Sequence, residues 1–434
     1  MPLNLRSFPQ AVLHVDGDCF FAACEVARRP ELKGKPVVTG SERGIVSSLS
    51  YEAKALGVKR AMSLSEVKRI CPSTIFLPSD YESYSLYSLR MFNIVRRFTS
   101  AVEEYSIDEC FADLTGLQRP LNMSYEKMAE KIKAALDSEL GFTFSVGLAP
   151  TKVLAKVGSK WKKPSGLTII PGREIHLYLA KLDVDKIWGI GPQTSAYLNK
   201  CGIKSALDFA EKNITWINRN LTKPHQEIWQ ELRGNMVYEV DQEKKQSYQS
   251  ISKTKTFTPP SREREHVFSQ LSKNTENACI KLRRYHLATK KIFFFLKTQD
   301  FKVVGFEFKL IRPTDSPVEI VKMIDKYFAN VFSTTKLFRA TGIVLMDLTD
   351  NLLHQPDLFS ESVQAEKISK IFGSVDAMAK RYGKHALFLG SSFSAMDGVQ
   401  HQGDRQLKSD RKTELFKGET ARKRLAIPFL GGVV

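Results

Sequence analysis

Several things are missing from this chain of 434 residues, and each absence narrows what it does. Its six cysteines stand at 19, 24, 71, 110, 201 and 279, with no C-x-x-C pair among them. That spacing argues against a disulfide framework and a structural zinc site, and for a reducing cytoplasm. No stretch approaches the roughly 18 apolar residues of a membrane helix. The N-terminus, M-P-L-N-L-R-S-F-P-Q, lacks the apolar centre of a signal peptide. Lipidation motifs, basic amphipathic helices and internal repeats are also missing, so no membrane attachment is expected. Acids are scarce relative to bases: 47 Asp and Glu face 65 Lys and Arg, for a net charge of +18. Such an excess favours a polyanionic partner, nucleic acid ahead of a membrane surface.

What is present begins with acids in costly places. Asp108 and Glu109 sit within V-E-E-Y-S-I-D-E-C-F-A-D-L (102–114), between apolar residues that read as a buried strand pair. Asp16 and Asp18 sit in a second apolar run, A-V-L-H-V-D-G-D-C-F-F-A-A (11–23). Adjacent carboxylates in apolar strands need a cation or hydrogen bonds to offset their burial. If the two strands are neighbours, the acids form an oxygen-rich cluster for a hard cation. Magnesium suits it, because that ion keeps positions for phosphate and water.

The length allows about two to four domains with real cores. Residues 11–16 read as a strand that runs into a helix opened by Phe20 and Phe21. Short strands are expected at 36–39 and 44–48, and helices at 50–56, 65–70 and 81–100. An acid-bearing hairpin follows at 102–105 and 109–114, then a helix at 124–140, a strand at 143–148 and a helix at 151–161. This is an α/β arrangement on a mixed sheet, closed by the turn K-P-S-G (163–166). A helical segment containing Ile187-Trp188-Gly189-Ile190-Gly191-Pro192, followed by a helix at 193–200, gives a helix-hairpin-helix pattern. Its glycines, Gly189 and Gly191, let backbone N–H groups approach a DNA phosphate. Residues 239–250 are polar and aperiodic, as a linker would be. From 251 to 350 the pattern is β-α-β-β-α-β, a ferredoxin-like unit with 18 Lys and Arg against 10 Asp and Glu. A basic sheet of that kind can lie along a duplex backbone without reading bases. The tail, 351–434, holds one expected helix at 364–381 and a polar stretch at 401–424.

Four stretches together carry a resemblance: V-D-G-D-C-F-F-A (15–22), S-Y-E-A-K-A-L-G-V-K (50–59), Y-S-I-D-E (105–109) and V-G-L-A-P-T-K-V-L-A-K (146–156). The chain resembles the Y-family translesion DNA polymerases of the bacterial DinB/UmuC type. The resemblance implies a right-hand polymerase, multidomain α/β and α+β. The palm would be 1–19 with 80–166, the fingers 20–79, the helix-hairpin-helix thumb 167–238 and the ferredoxin-like little finger 251–350. It implies low-fidelity, template-directed synthesis from dNTPs on primer-template DNA by a cytoplasmic monomer. It also implies that Asp16, Asp108 and Glu109, with the Gly17 carbonyl, hold two Mg²⁺ ions for which Mn²⁺ can substitute. Asp18 is read instead as a helix-start or structural acid.

Phe20, Phe21, Ser48, Tyr51, Lys54 and Lys156 then match the dNTP site, with Phe21 the steric gate against a 2′-hydroxyl and Phe20 beside it also read as a core phenylalanine. Lys54 stands where arginine is frequent, which keeps the charge and loses the bidentate fork. Small residues at Ser47 and Ala61 would leave room over the templating base. No exonuclease constellation is visible, so proofreading is not expected. In the tail, Gln355-Pro356-Asp357-Leu358-Phe359 resembles the bacterial sliding-clamp pentapeptide, with Gln355, Leu358 and Phe359 as anchors. Ile427–Gly431 is an alternative apolar anchor. Two rival readings are a catalytically idle DNA-binding scaffold and another palm-type two-metal enzyme such as a nucleotide cyclase. The acid set argues against the first. The helix-hairpin-helix and the basic C-terminal unit argue against the second.

Overall fold

The computed structural model describes residues 6–242, 248–350, 361–382 and 385–397. They divide into two compact units, with the break between Glu243 and Lys244.

The first unit is built on β1 (Val12–Gly17), followed by α1 (Phe20–Arg28). A small sheet comes next: β2 (Val37–Thr39), β3 (Ser48–Leu49) and β4 (Ile75–Leu77), with α2 (Tyr51–Ala55) and α3 (Leu64–Ile70) between them. Its order is β3-β2-β4. The strand expected at 44–48 is mostly turn, leaving an Ile45–Ser63 bridge and the two residues of β3. A 3₁₀ turn at Ser41–Arg43, entered and left through left-handed glycines, uses up the backbone there. The chain then runs through α4 (Tyr81–Arg96), β5 (Val102–Glu104), β6 (Glu109–Asp113), α5 (Tyr125–Leu140), β7 (Phe144–Ala149), α6 (Lys152–Trp161) and β8 (Leu167–Ile169). These strands form one mixed sheet, ordered β5-β6-β1-β7-β8. Only the β7–β8 pair is parallel.

The two-residue period of β1 sorts its side chains between two layers. Leu13 and Val15 pack with Met91 and Val95 of α4 and with Met128, Ile132 and Leu136 of α5. The last three fall on one helical stripe, and burying each contributes about 1.5–3 kcal/mol. Val12, His14 and Asp16 point the other way, toward α6. Register places Phe111 beside His14 and Glu109 beside Asp16, so both acids share that face. Gly147 of β7, opposite His14, lets α6 approach closely. A Cβ there would lie 2.0 Å from the Ala155 carbonyl oxygen, so the helix backbone rests directly on the strand.

Five helices follow in this unit: α7 (Ile175–Leu179), α8 (Pro192–Lys200), α9 (Ala206–Ala210), α10 (Ile214–Asn220) and α11 (Lys223–Leu232). The segment expected to be the first helix of the hairpin is a single 3₁₀ turn, Val184–Lys186, after which Ile187 is already extended. Pro192 begins α8, as its missing N–H allows. Gly189 has φ +90°, and a Cβ there would meet Ile228 at 2.5 Å, so this turn requires glycine.

The second unit holds β9 (Ile251–Ser261), α12 (Arg264–Arg284), β10 (Leu287–Thr298), β11 (Val303–Thr314), α13 (Pro317–Phe328) and β12 (Phe338–Asp350). This is the expected β-α-β-β-α-β order on an antiparallel sheet, β11-β10-β12-β9. Ile292, Phe294 and Leu296 face the helices, while Lys291, Phe293, Phe295 and Lys297 alternate to the other side. Two further helices, α14 (Glu361–Tyr382) and α15 (Phe393–Asp397), belong to the same unit. Arg283 of α12 donates to both carboxylate oxygens of Asp376, at 2.6 and 2.9 Å. The buried Glu276 accepts from Ser392 Oγ and from the Leu389 N–H. Part of the expected tail is therefore packed on α12. Residues 355–359, 401–424 and 427–431 lie outside the described residues.

Candidate active site

At the end of β1 the sheet brings Asp16 and Glu109 into register, and the Gly17 N–H donates to the Asp108 carbonyl at 2.9 Å. Asp16 and Glu109 thus share the α6 face, and Asp108 lies beside them at the strand end, near enough for its charge to act on Asp16. Each is held by its own partner. Lys156 Nζ lies 2.7 Å from Glu109 Oε2, Lys163 Nζ bonds Asp16 Oδ1, and Ser106 Oγ donates to Asp108 Oδ1 at 2.6 Å. Among the described residues, no three His, Cys, Asp or Glu donors converge as they would around a bound ion. Two ammonium groups stand where cation charge is needed.

Asp16 is 7% exposed. Burial pushes its carboxyl up to about 6, and the neighbouring charges of Glu109 and Asp108 add to that against the pull of Lys163. His14, fully buried below the acids, is held neutral by burial and by Lys156, Lys163 and Lys160. Its Nδ1 meets Ser159 Oγ at 2.7 Å, while Nε2 is without a partner and 4.0 Å from Glu109 Oε2.

Lys156 is aimed by α6. Thr151 caps the helix, and the buried Glu231 of α11 accepts from the Val153 N–H at 3.2 Å. The ammonium also lies over the rings of Tyr105 (4.5 Å) and Trp188 (5.0 Å). Lys163 is a functional candidate that the sequence reading passed over, because it sits in what reads as an ordinary turn. Its cis bond to Pro164 and the left-handed Ser165 that follows fold this turn over the sheet edge. Asp18 is fully engaged, accepting from Thr143 Oγ1 (3.0 Å), Ser145 Oγ (2.8 Å) and the Ser165 N–H (2.7 Å). It therefore ties β1, β7 and the Lys163 turn together, the structural role expected for it.

The predicted nucleotide residues gather beside the acids. Tyr51 Oη points to Asp18 Oδ1 at 3.5 Å, and Lys54 Nζ lies 5.6 Å from the Tyr51 ring centre. Ser48 Oγ donates to the Cys19 carbonyl at 3.3 Å, where the chain makes a left-handed turn into α1. Phe21 is part-exposed and stacks on Tyr84. Phe20 does not fit its assignment as a nucleotide contact. It is 3% exposed and packed against Gly17 and Phe142, because the turn at Cys19 sends it inward.

A sheet covered by helices on both faces, with carboxylates and lysines at one edge, joined to a helical region and a separate basic sheet, defines a palm-type nucleotidyl-transfer class. Comparison with known proteins makes this specific. Residues 15–160 match the impB/mucB/samB family, and 248–358 match that family's C-terminal domain. DNA polymerase IV of Desulfatibacillum aliphaticivorans is 32% identical over 375 residues, covering 86% of this chain and 94% of that protein. DNA polymerase IV of Bacillus velezensis is 30% identical over 388 residues, covering 88% and 92%. Among solved structures, a Y-family chimera of Dbh and Dpo4 superposes with a TM-score of 0.65 at 27% identity, covering 79% of this chain and all of that one. An insertion ternary complex of Dbh DNA polymerase gives a TM-score of 0.51 at 27% identity, covering 77% and 98%. The chain belongs to the impB/mucB/samB family, the Y-family DNA polymerases of the DinB/UmuC type.

Proposed function

We propose that this chain is a translesion DNA polymerase that adds deoxynucleotides to a primer 3′-hydroxyl under template direction. The observation that carries this is the register pairing of Asp16 with Glu109 on one sheet face, with Lys156 and Lys163 on those same carboxylates. Divalent-metal dependence follows from family membership, and the donors fit. They are hard oxygen ligands, and Asp16 is a buried acid whose charge lacks full compensation. Asp16, Asp108, Glu109 and the Gly17 carbonyl would hold two Mg²⁺ ions, with Mn²⁺ able to substitute. When bound, the ions supply a more acidic 3′-hydroxyl and charge neutralisation for the triphosphate.

The chain's own groups do the positioning. Lys163, 29% exposed, has the freedom to exchange Asp16 for a phosphate oxygen. Lys156, Lys54 and the hydroxyls of Tyr51 and Ser48 supply further donors to the triphosphate, holding the α-phosphorus for in-line attack. The Phe21 ring lies under the sugar and clashes with a 2′-hydroxyl. Small side chains at Ser47 and Ala61 leave the templating base loosely enclosed, so damaged templates are copied with low fidelity and no proofreading. Backbone amides around Gly189 and Gly191, and the basic sheet of the second unit, grip the duplex through phosphates. The segment 355–359 is proposed to anchor a sliding clamp, and the enzyme to act as a monomer in the cytoplasm. No described helix is long and apolar enough to cross a membrane.

Primer extension on undamaged and abasic templates tests this reading. Copying of both is expected. Failure on both sinks the polymerase assignment, and a stop at the abasic site on an otherwise copied template sinks the translesion part.

A further inference from the structure

The ring proposed to exclude the 2′-hydroxyl does not stand alone. Phe21 stacks face to face on Tyr84 of α4, with centroids 4.6 Å apart and planes within 13°. Tyr84 has no exposed surface, and its hydroxyl donates to Glu25 Oε1 at 2.7 Å. Glu25 lies one turn after Phe21 on α1, so both project from one helical stripe. One helix therefore grips Tyr84 at two points, its face through Phe21 and its hydroxyl through Glu25. Glu25 is 1% exposed and is flanked by Arg28 and Arg29, each 3.8 Å from its second oxygen. Arg28 in turn bonds Asp80 at 2.9 Å, and Asp80 caps α4 through the Ser83 N–H and hydroxyl. Tyr81 closes the side with an edge contact to Phe21 at 5.4 Å.

We infer that Glu25 and Tyr84 are specificity-determining positioning residues for sugar selection, resting on the reading of Phe21 as the gate. A ring rejects a single oxygen only if it cannot retreat. Behind Phe21 the retreat is blocked by a buried ring whose hydroxyl is fixed to a buried carboxylate. Neither residue touches the nucleotide. They act by stiffening the surface on which Phe21 rests.

The experiment compares kcat/KM for dCTP and CTP opposite template dG, in wild type, Phe21→Ala, Tyr84→Leu, Tyr84→Phe, Glu25→Leu and Glu25→Gln. Tyr84→Leu removes the stack and lowers the dCTP:CTP ratio roughly tenfold, the scale of one aromatic pair. Tyr84→Phe and Glu25→Leu lose the hydroxyl anchor and lower it less, in the same direction. Glu25→Gln retains an acceptor for the hydroxyl and restores the wild-type ratio. Phe21→Ala with Tyr84→Leu is no more permissive than Phe21→Ala alone. If Phe21→Ala opens the gate while Tyr84→Leu, Tyr84→Phe and Glu25→Leu leave the ratio unchanged, the inference fails and the gate stands. If Phe21→Ala itself leaves the ratio unchanged, the gate reading fails and this inference falls with it. Should Tyr84→Leu not fold, Tyr84→Phe and Glu25→Leu decide.

Discussion

Asp16 should weaken the unit that contains it, by an amount its surroundings set. Its carboxyl titrates near 6 in the folded protein, mainly because it is buried, against an ordinary value of 3.8. Between those values the folded chain keeps a proton that the unfolded chain has released. Stability therefore falls as pH rises from about 4 to about 6, and above that range the whole cost, about 3 kcal/mol, is present. Asp16→Asn removes the titration. Lys163 then still has Asp18 at 3.8 Å. In the absence of divalent ions, the variant should be more stable than wild type at pH 7.5 by up to about 3 kcal/mol, with the gap closing below about pH 4. All four tryptophans, at 161, 188, 216 and 229, lie in the first unit, so urea unfolding followed by tryptophan fluorescence reports on that unit alone. A variant that is less stable at every pH, or a gap that does not change with pH, would refute the reasoning.

Three further outcomes follow from particular contacts. Lys156→Ala should lower kcat/KM for dNTPs by roughly 10²-fold, the cost of losing one aimed donor, with little change in duplex affinity by fluorescence anisotropy. Gly147→Ala places a Cβ 2.0 Å from a helix carbonyl that cannot yield cheaply, so a loss of about 3 kcal/mol or more is expected in thermal melts, along with weakened incorporation as α6 shifts Lys156. Ser392→Ala leaves one oxygen of the buried Glu276 without its donor, and should destabilise the second unit by about 1–3 kcal/mol with incorporation kinetics unchanged.

The parts of the fold that were readable from sequence are those whose apolar pattern runs over several residues, whether buried throughout as in β1 and β7 or alternating as in β10. β1, β6, β7, α5 and the elements of the second unit were expected close to where they lie, because their apolar periods are unbroken. Strands β4 and β8 were missed, since three residues cannot establish a period and neither strand is buried throughout, unlike the equally short β2. The first helix of the hairpin was over-read: the apolar residues of 184–190 serve the core from turns, not from a helix. Within the site, the acids were legible as charge in apolar strands. Lys163 was not, because a lysine before Pro164 carries no local signal, and only the folding of its turn over Asp16 and Asp18 reveals it. The two readings of Phe20, core ring and nucleotide contact, have a similar origin. Adjacent phenylalanines look alike in sequence, and the left-handed turn at Cys19 decides which one enters the core.

The central claim is that the carboxylates at the end of the palm sheet carry the chemistry. Its most direct test is single-nucleotide incorporation over a Mg²⁺ titration by wild type, Asp16→Asn, Asp108→Asn and Glu109→Gln, with duplex affinity measured in parallel. Mg²⁺-dependent incorporation by wild type, abolished in each variant while duplex binding persists, is the predicted result. Incorporation near the wild-type rate by any of the three variants would contradict it.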